Sequence, residues 1–164
     1  MRVLFACDHA GFDLKRLLAA HARSLGHEVI DLGPHSAEAV DYPDFAHDLA
    51  RRLLAGDGEC GVLLCGTGIG MAMAANRHAG VRAALCHDAF TAEAARRHNN
   101  ANVLCLGGRT TGPGVALQLL EIFLTTAFEG GRHERRVAKV EPTASPGRPS
   151  SDPDVTLAPK EKQR

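Results

Sequence analysis

A cysteine followed by a glycine-rich turn is the feature of this sequence with the clearest chemical potential. The apolar run Gly61–Cys65 leads into Gly66-Thr67-Gly68-Ile69-Gly70, and a stretch of helical composition follows. Glycines at alternate positions let the backbone turn sharply and direct several N–H groups at one point, and a helix N-terminus adds partial positive charge. Such a loop binds a phosphate or an oxyanion. A thiol beside it can ionise and accept a proton, so Cys65 and the loop together indicate enolisation chemistry.

Short apolar runs alternate with longer stretches of helical period along most of the chain. This pattern predicts an α/β fold, with βα units around a parallel sheet that is covered on both faces. The predicted strands are Arg2–Cys7, Glu28–Leu32, Gly61–Cys65, Arg82–Cys86 and Asn102–Leu106. The predicted helices cover about Gly11–Leu25, Asp41-Tyr42-Pro43 to Gly56, the stretch after the glycine loop, Ala89–Arg97 and Pro113–Ala127.

Length and composition limit the classes of partner. With 164 residues, the chain is expected to form one domain, over residues 1–140, followed by a disordered, proline- and serine-rich tail over 141–164. The 19 basic and 19 acidic side chains cancel, so neither nucleic acid nor a membrane is an expected partner. The N-terminal residues do not form a signal peptide, and we expect a cytoplasmic location. Five cysteines without CxxC spacing are expected to be reduced thiols, most of them in the core.

Ligands of open parallel sheets bind beyond the carboxyl ends of the strands, where several polar residues of this sequence fall. Asp8 and His9 follow the first predicted strand, and Arg109 follows the last. Each candidate has a plainer interpretation. Asp8 is a good helix cap, His98 at a helix end offsets the helix dipole, and Arg132 and Arg136 suit a solvated basic face. Five other histidines are expected to be structural or surface residues without partners: His21, His27, His35, His47 and His78.

Several motifs taken together resemble the type B ribose-5-phosphate isomerases of the ribose/galactose isomerase family. The motifs are Asp8-His9-Ala10-Gly11, Asp41-Tyr42-Pro43, Cys65 to Gly70, Ala74-Ala75-Asn76, His98-Asn99 with Asn102-Val103-Leu104, and Glu129-Gly130-Gly131-Arg132-His133 with Arg136-Val137. The resemblance covers about residues 1–140. It implies a Rossmann-like three-layer α/β/α sandwich with a five-stranded parallel sheet. It also implies a homodimer with active sites between the subunits, and leaves open whether two dimers associate.

The resemblance implies aldose–ketose isomerisation of a phosphorylated sugar through a cis-enediolate, without a metal or any other cofactor. Cys65 would be the base, and His98 would open the sugar ring, with Asp8 and Thr67 as further catalytic residues. Some similar proteins use a glutamate just after the glycine loop as the base, where this chain has Met71. The implied substrate-binding residues are His9, Tyr42, Gly66, Gly68, Ile69, Gly70, Asn99, Arg109, Arg132 and Arg136.

The leading expectation is interconversion of ribose 5-phosphate and ribulose 5-phosphate in the non-oxidative pentose phosphate pathway. Similar proteins act on allose 6-phosphate, galactose 6-phosphate or a tetrulose 4-phosphate, and one carbon more or less changes the pocket rather than the catalytic residues. A different class is a phosphate- or nucleotide-binding module without catalysis. Such a module would need neither Cys65 nor His98, so substitution of Cys65 discriminates between a binder and an enzyme.

Overall fold

The structure is a computed structural model that describes residues 1–141, so the predicted tail from residue 142 onward lies outside the described residues. The strands are β1 (Arg2–Cys7), β2 (Glu28–Asp31), β3 (Cys60–Cys65), β4 (Ala83–Leu85) and β5 (Val103–Gly107). The helices are α1 (Phe12–Ser24), α2 (Tyr42–Leu54), α3 (Ile69–Ala75), α4 (Ala89–Arg97), α5 (Pro113–Thr125) and α6 (Arg132–Val137), and a 3₁₀ turn at His9–Gly11 precedes α1.

The strands form one parallel sheet in the order β2-β1-β3-β5-β4. Helices α1, α4 and α5 pack on one face of this sheet, and α2 and α3 pack on the other. The predicted three-layer α/β/α sandwich is therefore confirmed. The chain passes from β1 to β2 on one side and then to β3 on the other, so the strand order reverses between β1 and β3. Such a reversal leaves a crevice at the carboxyl ends of the two strands.

Burial explains why the strands are continuous apolar runs rather than alternating ones. Every residue of β3 is buried, because both faces of the sheet are covered by helices. The edge strand β4 is shorter than the predicted Arg82–Cys86, since it has a strand neighbour on one side only. The other predicted strands agree within one residue at either end.

Local capping sets several helix starts. The Asp88 carboxylate accepts from Thr91 N at 2.8 Å and caps α4, whose predicted bounds are confirmed. Proline lies at the first turn of α2 and of α5, where its missing N–H costs nothing. Helix α6 was not predicted, since its sequence was interpreted only as a short basic cluster. Among residues 1–141, no helix has the length and apolar composition needed to cross a membrane.

Candidate active site

The Cys65 side chain lies at the carboxyl end of β3, inside the glycine turn. Its thiol is 5% exposed, and its Sγ accepts the backbone N–H of Gly68 at 3.1 Å. Gly68 has φ +80°, a left-handed conformation that closes the loop before α3 begins at Ile69. The first N–H groups of a helix have no partner inside it, so those of Gly70 and Met71 remain available as donors. A polarisable sulfur and free donors thus face the same small volume.

Hydrogen bonds between neighbouring strands fix this turn at the point of strand reversal. Asp8 N donates to Leu64 O at 3.0 Å on the β1 side, and Gly108 N donates to Cys65 O at 2.7 Å on the β5 side. Arg109 N donates to Gly66 O at 3.0 Å. The turn therefore belongs to a rigid unit formed by three strand ends.

Further predicted residues lie at the same edge of the sheet. A Cβ on Gly70 would lie 2.6 Å from Cε2 of Tyr42, so the tyrosine ring packs directly on the helix start. The aliphatic and guanidinium atoms of Arg109 come within 3.5 to 3.7 Å of the corresponding position on Gly66. His9 follows β1 and is exposed to solvent. We call the residues at this edge the carboxyl-edge group: Asp8, His9, Tyr42, Cys65 to Gly70, and Arg109.

Two members of the carboxyl-edge group have local structural roles. The Asp8 carboxylate is buried and accepts from Ala10 N at 2.8 Å and Gly11 N at 3.1 Å, so it caps the 3₁₀ turn. Asp8 thus acts as a helix cap, as its plainer interpretation predicted. A catalytic role for Asp8 stays a prediction. The exposed Thr67 hydroxyl accepts from Ile69 N at 3.3 Å, which steadies the loop.

The remaining cysteines differ from Cys65 in their surroundings. All five are free and buried, which confirms the expected reduced thiols. Burial raises the pKa of the Cys7 thiol to about 12 and the pKa of Cys60 to about 11. It also raises the pKa of Cys86 to about 11 and that of Cys105 well above its ordinary value. These four thiols therefore stay protonated near neutral pH.

The other predicted site residues lie at the opposite edge of the sheet. Helix α4 starts beyond the carboxyl end of β4 and returns to the start of β5, so its last residue, His98, lies where the strands begin. Helix α5 returns in the same way and leads to α6, and Glu129 N donates to Arg97 O at 3.0 Å. We call the predicted residues here the amino-edge group: His98, Asn99, Arg132 and Arg136.

One chain does not bring the two groups together. Cys65 pairs in register with Gly107 at the end of β5, whereas His98 precedes its start at Val103. The four residue steps of β5, at roughly 3.3 Å each, separate the two edges by about 13 Å. Four of the predicted substrate-binding residues are divided likewise, with His9 and Arg109 at one edge and Arg132 and Arg136 at the other.

The imidazole of His98 is part of a compact polar cluster. Its ring stacks on that of His133 with centroids 4.5 Å apart and planes 10° apart. Its Nε2 lies 3.8 Å from Oε2 of Glu129. The ligand atoms of these three residues lie within 4.8 Å of one another, a spacing from which a metal could be bound. However, the Arg97 guanidinium already pairs with Glu129 at 3.2 Å, which reduces the attraction of this cluster for a cation.

A cavity of about 420 Å³ borders the amino-edge group through Asn99 and runs along β4. Its polar lining includes Arg77, His78 and Arg82, and Glu141 closes one end by accepting from Arg82 at 2.6 Å. Cys65 does not line this cavity. In a single chain, the Cys65 thiol and this cavity are therefore separate features.

Sequence reasoning missed two polar pairs, one at the buried Lys15 and one partly buried between two histidines. Lys15 is completely buried, and its Nζ donates to Asp31 Oδ1 at 2.6 Å and to Pro34 O at 2.8 Å, which anchors the loop after β2. The prediction that His47 and His78 have no partners is wrong, because Nδ1 of His47 lies 2.8 Å from Nε2 of His78. The only sequence signal for the Lys15–Asp31 pair was a lysine at a core position of the α1 pattern. No local sequence pattern indicated the His47–His78 pair.

The prediction that His21 has no partner is also wrong. Its Nε2 lies 2.6 Å from Oε1 of Glu121, so the pair joins α1 to α5. The partners are 100 positions apart in the sequence. Only the packing of α1 on α5 brings them together.

Fold and site together define a Rossmann-like α/β protein with a buried thiol and a glycine-rich loop at its point of strand reversal. A family model described as Ribose/Galactose Isomerase matches residues 3–140. The chain belongs to the ribose/galactose isomerase family.

Individual relatives are similar over most of their length. Ribose-5-phosphate isomerase B of Escherichia coli is 42% identical over 139 residues, which cover 85% of this chain and 93% of that protein. The solved structure of a ribose 5-phosphate isomerase from Thermotoga maritima superposes with a TM-score of 0.84 at 47% identity, covering 85% of this chain and 97% of that one. The ribose-5-phosphate isomerase B of Clostridium thermocellum gives a TM-score of 0.84 at 43% identity, covering 85% and 95%.

Proposed function

We propose that this protein interconverts ribose 5-phosphate and ribulose 5-phosphate in a homodimer whose active sites each combine both edge groups. The single observation that supports the chemistry best is the buried Cys65 thiol with the Gly68 N–H on its sulfur. Relatives named ribose-5-phosphate isomerase B support this substrate over allose, galactose or tetrulose phosphates, which remain the alternatives.

Cys65 transfers the proton between two neighbouring carbons. Its thiolate removes the proton from the carbon next to the carbonyl, and the electron pair moves to the carbonyl oxygen to form the enediolate. The proton of the neighbouring hydroxyl passes to the former carbonyl oxygen, and the same thiol returns its proton to the former carbonyl carbon, which leaves the carbonyl on the adjacent carbon. Donation from Gly68 stabilises the anionic sulfur, since thiolates gain from nearby N–H dipoles.

The glycine loop stabilises the enediolate oxygen. N–H groups in the first turn of α3 have no partner inside the helix, and each well-placed donor contributes about 3 to 4 kcal/mol to such a transition state. The exposed Thr67 hydroxyl is available to orient the sugar hydroxyl groups.

Ring opening requires a second acid–base group at almost the same point. Ribose 5-phosphate is mostly a furanose, whose C1 carries the ring oxygen, and the proton to be removed is on C2. Cys65 and the ring-opening His98 must therefore act within a few ångströms of each other, yet they lie at opposite edges of one chain. A second copy in a two-fold arrangement places the amino-edge group of one subunit against the carboxyl-edge group of the other, and it forms two equal sites.

Exposed apolar side chains support such a dimer. Met73 and Phe90 are 67% and 76% exposed, and Ile69 is 47% exposed. They lie on α3 and α4, the helices that flank the edge strand β4. A hydrophobic surface beside an unpaired sheet edge favours burial against a second copy. We expect the chain to elute as a dimer in size-exclusion chromatography with light scattering.

The decisive experiment compares Cys65→Ala with Cys86→Ala, which removes a buried thiol directly after the edge strand β4. Two reactions are followed: isomerisation of ribose 5-phosphate, and uptake of deuterium from D₂O by ribulose 5-phosphate. Cys65→Ala is expected to lose both reactions by at least about 100-fold and still bind substrate, while Cys86→Ala keeps both. Turnover retained in Cys65→Ala would refute the assignment. Absence of turnover in the unmodified chain, with binding intact, would favour the binding module.

A further inference from the structure

His98 lies against two side chains that no step above uses. The ring of His133 stacks on it at 4.5 Å, and Oε2 of Glu129 lies 3.8 Å from its Nε2. His133 is buried, whereas His98 retains 40% of its side-chain exposure. His133 therefore covers one face of the His98 ring, and the rest of the side chain stays open to solvent, where a substrate could reach it.

We infer that Glu129 and His133 are positioning residues that hold the His98 imidazole for ring opening. The inference rests on the proposed function, since it assigns their part through His98. Stacking fixes the plane of the His98 ring. The Glu129 carboxylate beside Nε2 favours the tautomer in which Nε2 carries the proton.

Three hydrogen bonds attach the Glu129 segment firmly to the end of α4. Arg97 donates to Glu129 Oε2 at 3.2 Å, and Glu129 N donates to Arg97 O at 3.0 Å. The partly buried guanidinium of Arg96 donates to Thr126 O at 3.2 Å and also to Ala101 O. Because Arg97 directly precedes His98, these contacts tie the carboxylate and the imidazole to the same short stretch of backbone.

The geometry of His133 depends on two consecutive glycines. Gly130 and Gly131 have φ of +68° and +56°, values that favour glycine. They turn the chain so that α6 begins at Arg132 and its second residue lies under His98. The left-handed turn at Gly130 and Gly131 therefore sets how Glu129 and His133 approach the His98 ring.

The two side chains against His98 differ in charge. Glu129 carries a carboxylate, which is paired with Arg97 at 3.2 Å. Burial, followed by the charges of His98 and Arg132, lowers the pKa of His133, so that His133 stays neutral and supplies a flat surface without a further charge.

The test separates ring opening from enolisation. Ribulose 5-phosphate is acyclic, because the C5 oxygen that would close its furanose ring carries the phosphate. Its deuterium uptake from D₂O therefore needs Cys65 but no ring opening. Glu129→Gln and His133→Ala are expected to lower ribose 5-phosphate turnover by about 10- to 100-fold while deuterium uptake stays within about twofold.

Two further variants complete the design. His133→Phe keeps a flat ring and is expected to restore most of the turnover that His133→Ala loses. Glu93→Gln removes the other carboxylate that pairs with Arg97 and is expected to change neither reaction. Equal losses in both reactions, or no loss in either, would overturn the inference. The proposed function fails separately, if Cys65→Ala retains deuterium uptake.

Discussion

Mixing two inactive variants tests whether the active site is shared between subunits. Cys65→Ala removes the base from the carboxyl-edge group, and His98→Asn removes the ring-opening residue from the amino-edge group. Each variant alone is expected to lose at least about 100-fold in ribose 5-phosphate turnover. The two positions are separated by more than the roughly 13 Å length of β5, so no side-chain movement within one chain unites them.

The expected recovery follows from the two-fold geometry. After unfolding and refolding of an equimolar mixture, about half of the dimers contain one chain of each kind. In such a mixed dimer, one site receives both defects, and the other receives the native thiol from one chain and the native imidazole from the other. One intact site in half of the dimers corresponds to about a quarter of the unmodified activity.

The assay needs evidence that mixed dimers form. Different affinity tags on the two variants allow tandem purification of the mixed species, whose activity is expected to be about half that of the unmodified dimer, since one of its two sites is intact. Mixing the folded variants briefly, before subunits exchange, provides the control. A purified mixed dimer with only baseline activity would refute the shared site.

Further predictions concern Gly68 in the glycine loop, the Lys15–Asp31 pair and the His47–His78 pair. Gly68→Ala requires φ +80° of an alanine and places Cβ 2.6 Å from Leu85, so we expect a large loss of kcat together with a lower Tm. Lys15→Met leaves the Asp31 carboxylate without its buried partner and is expected to lower the free energy of unfolding by about 3 to 5 kcal/mol in urea denaturation; an unchanged value would contradict the buried charge pair. Burial and the nearby charge of His47 lower the pKa of His78, so just below pH 6.5 the unfolded chain binds more protons than the folded chain. Tm is therefore expected to fall as the pH drops through that range, and to fall less in His78→Gln.

The sheet and its carboxyl edge could be predicted because their causes are local. Continuous apolar runs in a fully covered parallel sheet, proline at helix starts and alternate glycines after Cys65 each have a direct physical reason within a few residues. The same reasoning left out α6, whose six residues are mostly charged and whose start depends on the left-handed Gly130 and Gly131.

Long-range pairs could not be predicted in this way. Lys15 and Asp31 are 16 positions apart, and His47 and His78 are 31 apart, so no periodicity connects them. The division of the candidate site between two edges is different, because it follows from the topology alone. In a parallel sheet each helix returns to the edge where the next strand begins, and a residue at the end of α4 must therefore lie opposite the end of β3.

This division has a consequence for substrate choice. The reacting carbons lie at Cys65 of one subunit, whereas Arg132 and Arg136, if they bind the phosphate, belong to the other. The distance between the two ends of the sugar is then set by how the subunits dock and not by any residue of the catalytic loop. One carbon more or less in a fitted site is worth about 1 to 3 kcal/mol in discrimination. Substitutions at Met73 or Phe90 that shift the subunits are therefore expected to change the ratio of kcat/KM for ribose 5-phosphate and allose 6-phosphate, while deuterium uptake by the acyclic ketose responds less. An unchanged ratio in a variant whose subunits have shifted would show that sugar length is measured within one chain.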